Sequence, residues 1–156
     1  MAQSFIGLGS NLGNRQEYLQ QALGQLGQLP ETKLVCTSRL HETVPVGPPQ
    51  GMYLNGVAEI QTRLNPKPLL HHLQEIEKYL GRPESHPRWS PRVIDLDLLT
   101  YDQIILQESD LILPHPWMHE RSFVLAPLAE IAPDWIHPLL KRSAAELLET
   151  LSHANH

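Results

Sequence analysis

Strand-type alternation at 4–8, 33–41, 53–62 and 93–101 is interrupted by helical periodicity after 14 and again after 65. The resulting order of strand, helix, strand, strand, helix, strand predicts an α+β ferredoxin-like sandwich, with both helices on one face of an antiparallel sheet. Two further helical stretches, 118–131 and 143–151, predict a C-terminal helical extension. With 156 residues and 41% hydrophobic content, the chain can bury one substantial core, so 1–156 is expected to form a single domain.

The first strand, Ser4-Phe-Ile-Gly-Leu8, leads into Gly9-Ser-Asn-Leu-Gly13-Asn14. Gly7, Gly9 and Gly13 resemble a dinucleotide fingerprint, but the third glycine is displaced by one position and no acidic residue closes a second strand at the usual distance. The expectation is a tight strand-to-helix turn needing positive φ. Asn14 and Glu17 form a capping box, and Leu19, Ala22, Leu23 and Leu26 share the face of the first helix. The second strand alternates around Val35, Thr37 and Leu40. In the third, Leu54, Gly56, Ala58 and Ile60 take one side and Tyr53, Asn55 and Val57 the other. Asn65-Pro66 is an N-cap followed by an N1 proline, Leu69, Leu70, Leu73, Ile76 and Leu80 make a stripe, and Gly81 ends that helix. After the fourth strand, Tyr101-Asp-Gln turns into Ile104-Ile-Leu106 as a hairpin extension. Ser143 and Glu146 form another capping box.

The most informative stretch is Arg92-Val-Ile-Asp95-Leu-Asp97-Leu. Carboxylates two residues apart on a strand project from one face, and two hard oxygen donors suit Mg²⁺, which leaves its other positions to water and phosphates. A solvated acidic edge strand is the structural alternative. Arg82, Arg88 and Arg92 with Trp89 stand just upstream and suit a nucleotide's phosphates and base, although Trp89 could equally pack on the sheet. Tyr53 and Asn55 can stack on and hydrogen-bond a flat heterocycle, or form an ordinary strand pair. Tyr53, Asn55, Asp95 and Asp97 are expected to share the sheet face that the two helices leave free. The loops 42–52 and 82–92 would rim it and close over substrate.

The remaining features narrow the class. A net charge of −5 disfavours nucleic-acid backbones and anionic membranes. The N-terminus lacks the charged and apolar regions of a signal peptide, no segment has the apolar length of a membrane span, and the single cysteine, Cys36, has no intrachain partner. A cytoplasmic protein is expected. His115, His119 and Glu120 lack a completed tetrahedral set for zinc, with Pro116 breaking the spacing. His115 is either a donor to a nucleotide or a surface histidine, and Arg121 read alone is a helical cation.

These pieces, in this order, resemble the 6-hydroxymethyl-7,8-dihydropterin pyrophosphokinases of folate biosynthesis from Gly7 to about Pro138. The resemblance is carried by Gly9-Ser10-Asn11, Thr43 through Gly47-Pro48, Tyr53-Leu54-Asn55, Arg88-Trp89, Pro91-Arg92, Asp95-Leu96-Asp97, Pro114-His115-Pro116 and Arg121-Ser-Phe123. It implies transfer of the diphosphoryl group of ATP to the hydroxymethyl oxygen of the pterin, with two Mg²⁺ ions on Asp95 and Asp97. It implies a pterin site of Thr43, Val44, Val46, Tyr53, Asn55, Trp89 and Phe123. ATP would be lined by Gln74, Glu77, Arg88, Arg92, Leu98, His115 and Arg121, with Arg82 and Arg92 assisting transfer. The partners are then small molecules, ATP and the pterin, acted on by a monomer. Glu84 and Asp110 occupy positions where the family can carry arginines, and Ser90 replaces a glycine or alanine. The other readings are a different two-metal phosphoryl or nucleotidyl transferase and a noncatalytic ligand sensor.

Overall fold

The computed structural model describes residues 1–10, 14–43, 53–81 and 94–154. It is an α+β structure. Its sheet consists of β1 (Ala2–Ser10), β2 (Thr32–Thr37), β3 (His41–Thr43), β4 (Tyr53–Thr62) and β5 (Asp95–Leu98). The strand order is β2-β4-β1-β5, with β3 also paired to β4, and every pairing is antiparallel. Helices α1 (Arg15–Gly27) and α2 (Pro66–Gly81) occur where the periodicity places them. The β1 strand runs past both ends of the expected 4–8.

Alternation along β1 and β4 divides the core in two. Ile6 and Leu8 of β1, with Ala58 and Ile60 of β4, meet Leu19, Ala22 and Leu26 of α1 and Leu69, Leu73, Ile76 and Leu80 of α2. Each buried Leu or Ile side chain here contributes about 1.5–3 kcal/mol, and the two alanines less, so this layer holds the two helices on the sheet. Glu17 N–H donates to Asn14 Oδ1 at 3.2 Å, as the cap predicts, and Gly81 closes α2 at φ 133°. Both are local signals obeyed.

The opposite face departs from expectation, since it is only half free. The chain continues through a short hairpin of β6 (Leu106–Gln107) and β7 (Ile112–Leu113), a 3₁₀ turn at Met118–Glu120, α3 (Ser122–Ile131) and α4 (Ala144–Ala154). Met118, Val124, Leu128, Trp135 and Ala144 pack onto Phe5, Val57 and Leu99, with the Phe5 and Trp135 rings edge to face at 6.0 Å. These residues carry too much apolar surface to stay in water, so they bury it on the second side of the sheet.

Three smaller differences have local causes. The register slips between Leu34 and Cys36, making Val35 a bulge residue turned to solvent, and β2 ends at Thr37 instead of running on to 41. The 104–106 segment does not extend the Asp95 strand; Leu106 pairs with Leu113 in a separate hairpin. The predicted 118–131 helix is split at Arg121, whose extended backbone (φ −116°, ψ 105°) separates the 3₁₀ turn from α3. The Ser143–Glu146 box forms in both directions, at 3.0 and 3.1 Å, ahead of α4.

His137 is buried under this second layer, and its Nδ1 accepts the N–H groups of Leu139 and Leu140 at 3.2 and 3.1 Å. Burial first, and the neighbouring His119 second, lower its pKa to about 4. The unfolded chain binds this proton near 6.5, so the unfolded state holds more protons between about 4 and 6.5 and stability there rises with pH. Above about 6.5 the contribution is fully present. The urea midpoint should therefore rise from pH 4.5 to 6.5, and His137→Asn, which keeps an acceptor but does not titrate, should flatten part of that rise. An unchanged slope in the variant would remove His137 from the acid response.

Candidate active site

The glycines of β1 create the site. Going along the second face of this strand, Phe5 is covered by the C-terminal helices, while Gly7 and Gly9 present bare backbone. Gly7 pairs with Val57 and Asp97, and Gly9 with Asn55 and Asp95, so paired residues on the two neighbouring strands project over a side-chain-free floor. A Cβ on Gly9 would lie 2.8 Å from Asn55 Oδ1, closer than van der Waals contact allows. Gly7 and Gly9 thus lie inside the strand, where Gly9 makes a close approach; the expected turn, with Gly13, lies outside the described residues.

Above this floor is a cavity of about 910 Å³ lined by Thr43, Tyr53, Asn55, Asp95, Asp97, Arg121 and Phe123, together with Trp117, Glu120 and Ser122. The first seven of these, separated by as many as eighty positions in sequence, meet here. Asn55 is buried and its Nδ2 donates to Thr43 Oγ1, fixing which way the amide faces. The short β3 strand that supplies Thr43 is tied to α3, because Glu130 accepts Arg39 N–H at 2.6 Å and contacts His41 Nε2 at 3.1 Å. The Arg39 N–H, and secondarily the His41 contact, hold the Glu130 carboxyl below its usual range.

The split before α3 shapes the other wall. Because the chain is extended at Arg121, the first turn of α3 brings Ser122 and Phe123 to the cavity, and the Arg121 guanidinium lies 5.7 Å from the Phe123 ring centroid. A cation and the positive end of a helix dipole on one side thus face two carboxylates on the other. His115 is half-buried beside them, anchored by its N–H to Leu99 O at 2.8 Å. Burial, and secondarily Arg121, lower its pKa to about 4, so the ring is neutral at pH 7. Its Nδ1 accepts Trp117 N–H at 3.2 Å, which leaves the proton on Nε2 as a donor.

Asp95 and Asp97 are half-buried neighbours on one face of β5. Among the described residues no group of three or more His, Cys, Asp or Glu side chains is placed around one ion. A pair of hard donors at the open end of a cavity still suits Mg²⁺, which is commonly held by one or two carboxylates with water and phosphate oxygens completing its shell.

Three residues of the expected nucleotide site are not among those lining this cavity. Gln74 is on the exposed side of α2, Leu98 is buried in the α1/α2 layer, and Glu77 is buried between α2 and β5. Val44, Val46, Arg82, Arg88, Trp89 and Arg92 lie outside the described residues, as do most of the loops expected to close. Asp110, where an arginine could have stood, instead faces Lys67 at 3.4 Å, beside Glu108 at 2.7 Å. Gly7, Leu8, Gly9, Gly56, Trp117, Glu120, Ser122 and Val124 also line the cavity and were not among the expected site residues, Gly7, Gly9 and Trp117 being the most distinctive in chemistry: two bare backbone positions and a large ring. Alternating glycines inside an otherwise apolar strand were the available signal for Gly7 and Gly9.

The family model for 7,8-dihydro-6-hydroxymethylpterin-pyrophosphokinase (HPPK) matches residues 5–133. The chain belongs to the HPPK family. It is 47% identical over 129 residues to the 2-amino-4-hydroxy-6-hydroxymethyldihydropteridine pyrophosphokinase of Bacillus subtilis, covering 82% of this chain and 77% of the relative. The Haemophilus influenzae enzyme of the same name is 45% identical over 139 residues, covering 88% and 86%. The fold is similar to that of Plasmodium falciparum HPPK-DHPS, with TM-score 0.79 at 16% identity. That match covers 96% of this chain and 45% of the longer one, so this HPPK chain spans just under half of that two-part protein.

The Gly9 contact makes a direct test of the floor. Gly9→Ala should weaken binding of 6-hydroxymethyl-7,8-dihydropterin by roughly tenfold to a hundredfold, because the added methyl displaces the Asn55 amide. Calorimetry with the pterin, alongside thermal unfolding, checks this. Native affinity in a folded variant would show that Asn55 need not hold its place.

Proposed function

We propose that the chain transfers the diphosphoryl group of ATP to the hydroxymethyl oxygen of 6-hydroxymethyl-7,8-dihydropterin, giving AMP and the pterin diphosphate for folate biosynthesis. The observation that carries this is the meeting of a ring-binding group, Tyr53, Asn55 and Phe123, with the Asp95–Asp97 pair in one cavity of an HPPK-family chain. The strand order, with each neighbour antiparallel and α1 and α2 on one face, supports reading the fold as ferredoxin-like. We take 1–156 as one pyrophosphokinase domain acting as a monomer on small molecules. None of the described helices is long and apolar enough to cross a membrane.

In this reading Asn55 hydrogen-bonds the pterin edge while Tyr53 and Phe123 flank its ring, which points the hydroxymethyl group toward Asp95 and Asp97. Those carboxylates would hold Mg²⁺, two ions being expected. Bound there, Mg²⁺ supplies neutralisation of the ATP phosphate charge during displacement. Arg121 offers a planar fork to phosphate oxygens, and neutral His115 donates from Nε2. The hydroxymethyl oxygen attacks the β-phosphorus, the bond from that phosphorus to the α,β-bridging oxygen breaks, and AMP leaves. By resemblance, Arg82 and Arg92 assist this transfer, Val44, Val46 and Trp89 complete the pterin site, and Gln74, Arg88 and Leu98 flank ATP. Holding two substrates in line accounts for much of the rate in such chemistry.

Incubation with ATP, Mg²⁺ and the pterin should yield AMP and pterin diphosphate in equal amounts, resolved by chromatography. ADP as the main nucleotide product would exclude attack at the β-phosphorus, and pyrophosphate would favour a nucleotidyl transferase. Asp97→Ala should cut turnover roughly a hundredfold or more without unfolding the chain. Turnover near the native value with an unchanged Mg²⁺ requirement would move the metal site elsewhere.

A further inference from the structure

The carboxylate of Glu77 occupies an unusual place. It lies on α2 one turn after Leu73, next to Ile76, within the stripe that packs on the sheet, and the residue is only 6% exposed. A charged group there costs desolvation that an aliphatic residue would avoid, so its retention calls for a partner. Its Oε2 accepts the N–H of Leu96 at 2.9 Å. Leu96 is the residue between Asp95 and Asp97.

The strand that carries these aspartates is held on one side by β1 and from below by its buried Leu96 and Leu98. It has four residues and lies at the edge of the sheet. Asp95 and Asp97 pair with Gly9 and Gly7 of β1, but the Leu96 N–H turns outward to the edge, where a buried donor without an acceptor would cost about 1–3 kcal/mol. The two glycines cannot buttress the aspartate side chains as larger residues would. A charge-assisted bond from a rigid helix therefore fixes the backbone from which both carboxylates project.

We infer that Glu77 is a positioning residue for the Asp95–Asp97 pair, holding β5 in register through Leu96 N–H, rather than a contact for the nucleotide. This rests on the reading of that pair as the Mg²⁺ site. Groups that orient a metal's ligands change affinity for the ion without touching it, typically by 10–100-fold when removed.

The test compares native chain, Glu77→Leu and Glu77→Gln in three measurements: amide exchange at Leu96, binding of α,β-methylene-ATP without metal, and the Mg²⁺ concentration that half-saturates its metal-dependent binding. Glu77→Leu should speed exchange at Leu96 and raise the half-saturating Mg²⁺ about tenfold or more, with metal-free nucleotide binding unchanged. Glu77→Gln retains a carbonyl acceptor and should restore most of both properties. A native Mg²⁺ requirement in Glu77→Leu, or metal-free nucleotide binding lost in either variant, overturns the inference. If Glu77→Leu does not fold, Glu77→Gln decides: a Mg²⁺ requirement raised about tenfold despite slow Leu96 exchange would show that the charge, not the brace, matters. Native chain whose nucleotide binding ignores Mg²⁺ would sink the metal-site reading itself, a result distinct from any difference among the variants.

Discussion

Everything in this molecule depends on β1 having two unlike faces. Its odd-numbered side, Phe5, Gly7 and Gly9, passes from a large ring to no side chain at all, while Ile6 and Leu8 on the other side are uniformly apolar. The apolar side seats both α1 and α2. The graded side seats the C-terminal helices at one end and leaves a cavity at the other. Because β1 lies between β4 and β5, its bare stretch is flanked by Asn55 on one neighbour and by Asp95 and Asp97 on the other. One central strand therefore sets the distance between Asn55 and the Asp95–Asp97 pair.

The charges around the cavity follow from what each group is packed against. His115 is kept neutral by burial and by Arg121, and its tautomer is set by a backbone N–H, so it acts as a donor over the whole physiological range. Arg121 stands over Phe123, and Glu130 anchors the β3 strand that orients Asn55 through Thr43. These are supporting contacts. They hold residues that line the cavity, and they come from the C-terminal part of the chain as much as from the sheet. The second layer consequently has two tasks, covering Phe5 and Val57 and delivering one wall of the site.

Much of this was legible beforehand. Alternation in 53–62 separates Asn55 and Tyr53 from the core side of β4, and the stripe from Leu69 to Leu80 defines α2, because both depend on periods that local backbone geometry imposes. The Asp95–Asp97 spacing likewise places both carboxylates on one face. Glu77 shows the limit. A carboxylate at the edge of a helical stripe looks like a solvent-facing or ligand-binding group, and only the docking of α2 against β5 gives it Leu96 N–H as a partner.

By itself, the amino-acid sequence determined the order of β1, α1, β2, β4, α2 and β5, the helix-covered face of the sheet, the capping boxes at 14–17 and 143–146, and the residues grouped by family resemblance. All of these follow from local periodicity, side-chain chemistry or motif. Tertiary structure alone decided that Gly7 and Gly9 are a floor rather than a turn, that Arg121 interrupts a helix to face the cavity, and that α3 and α4 close half of the second face. Those outcomes depend on contacts between residues far apart in the chain, and the apolar surface of 118–144 could be buried only where the sheet, once assembled, still exposed Phe5, Val57 and Leu99.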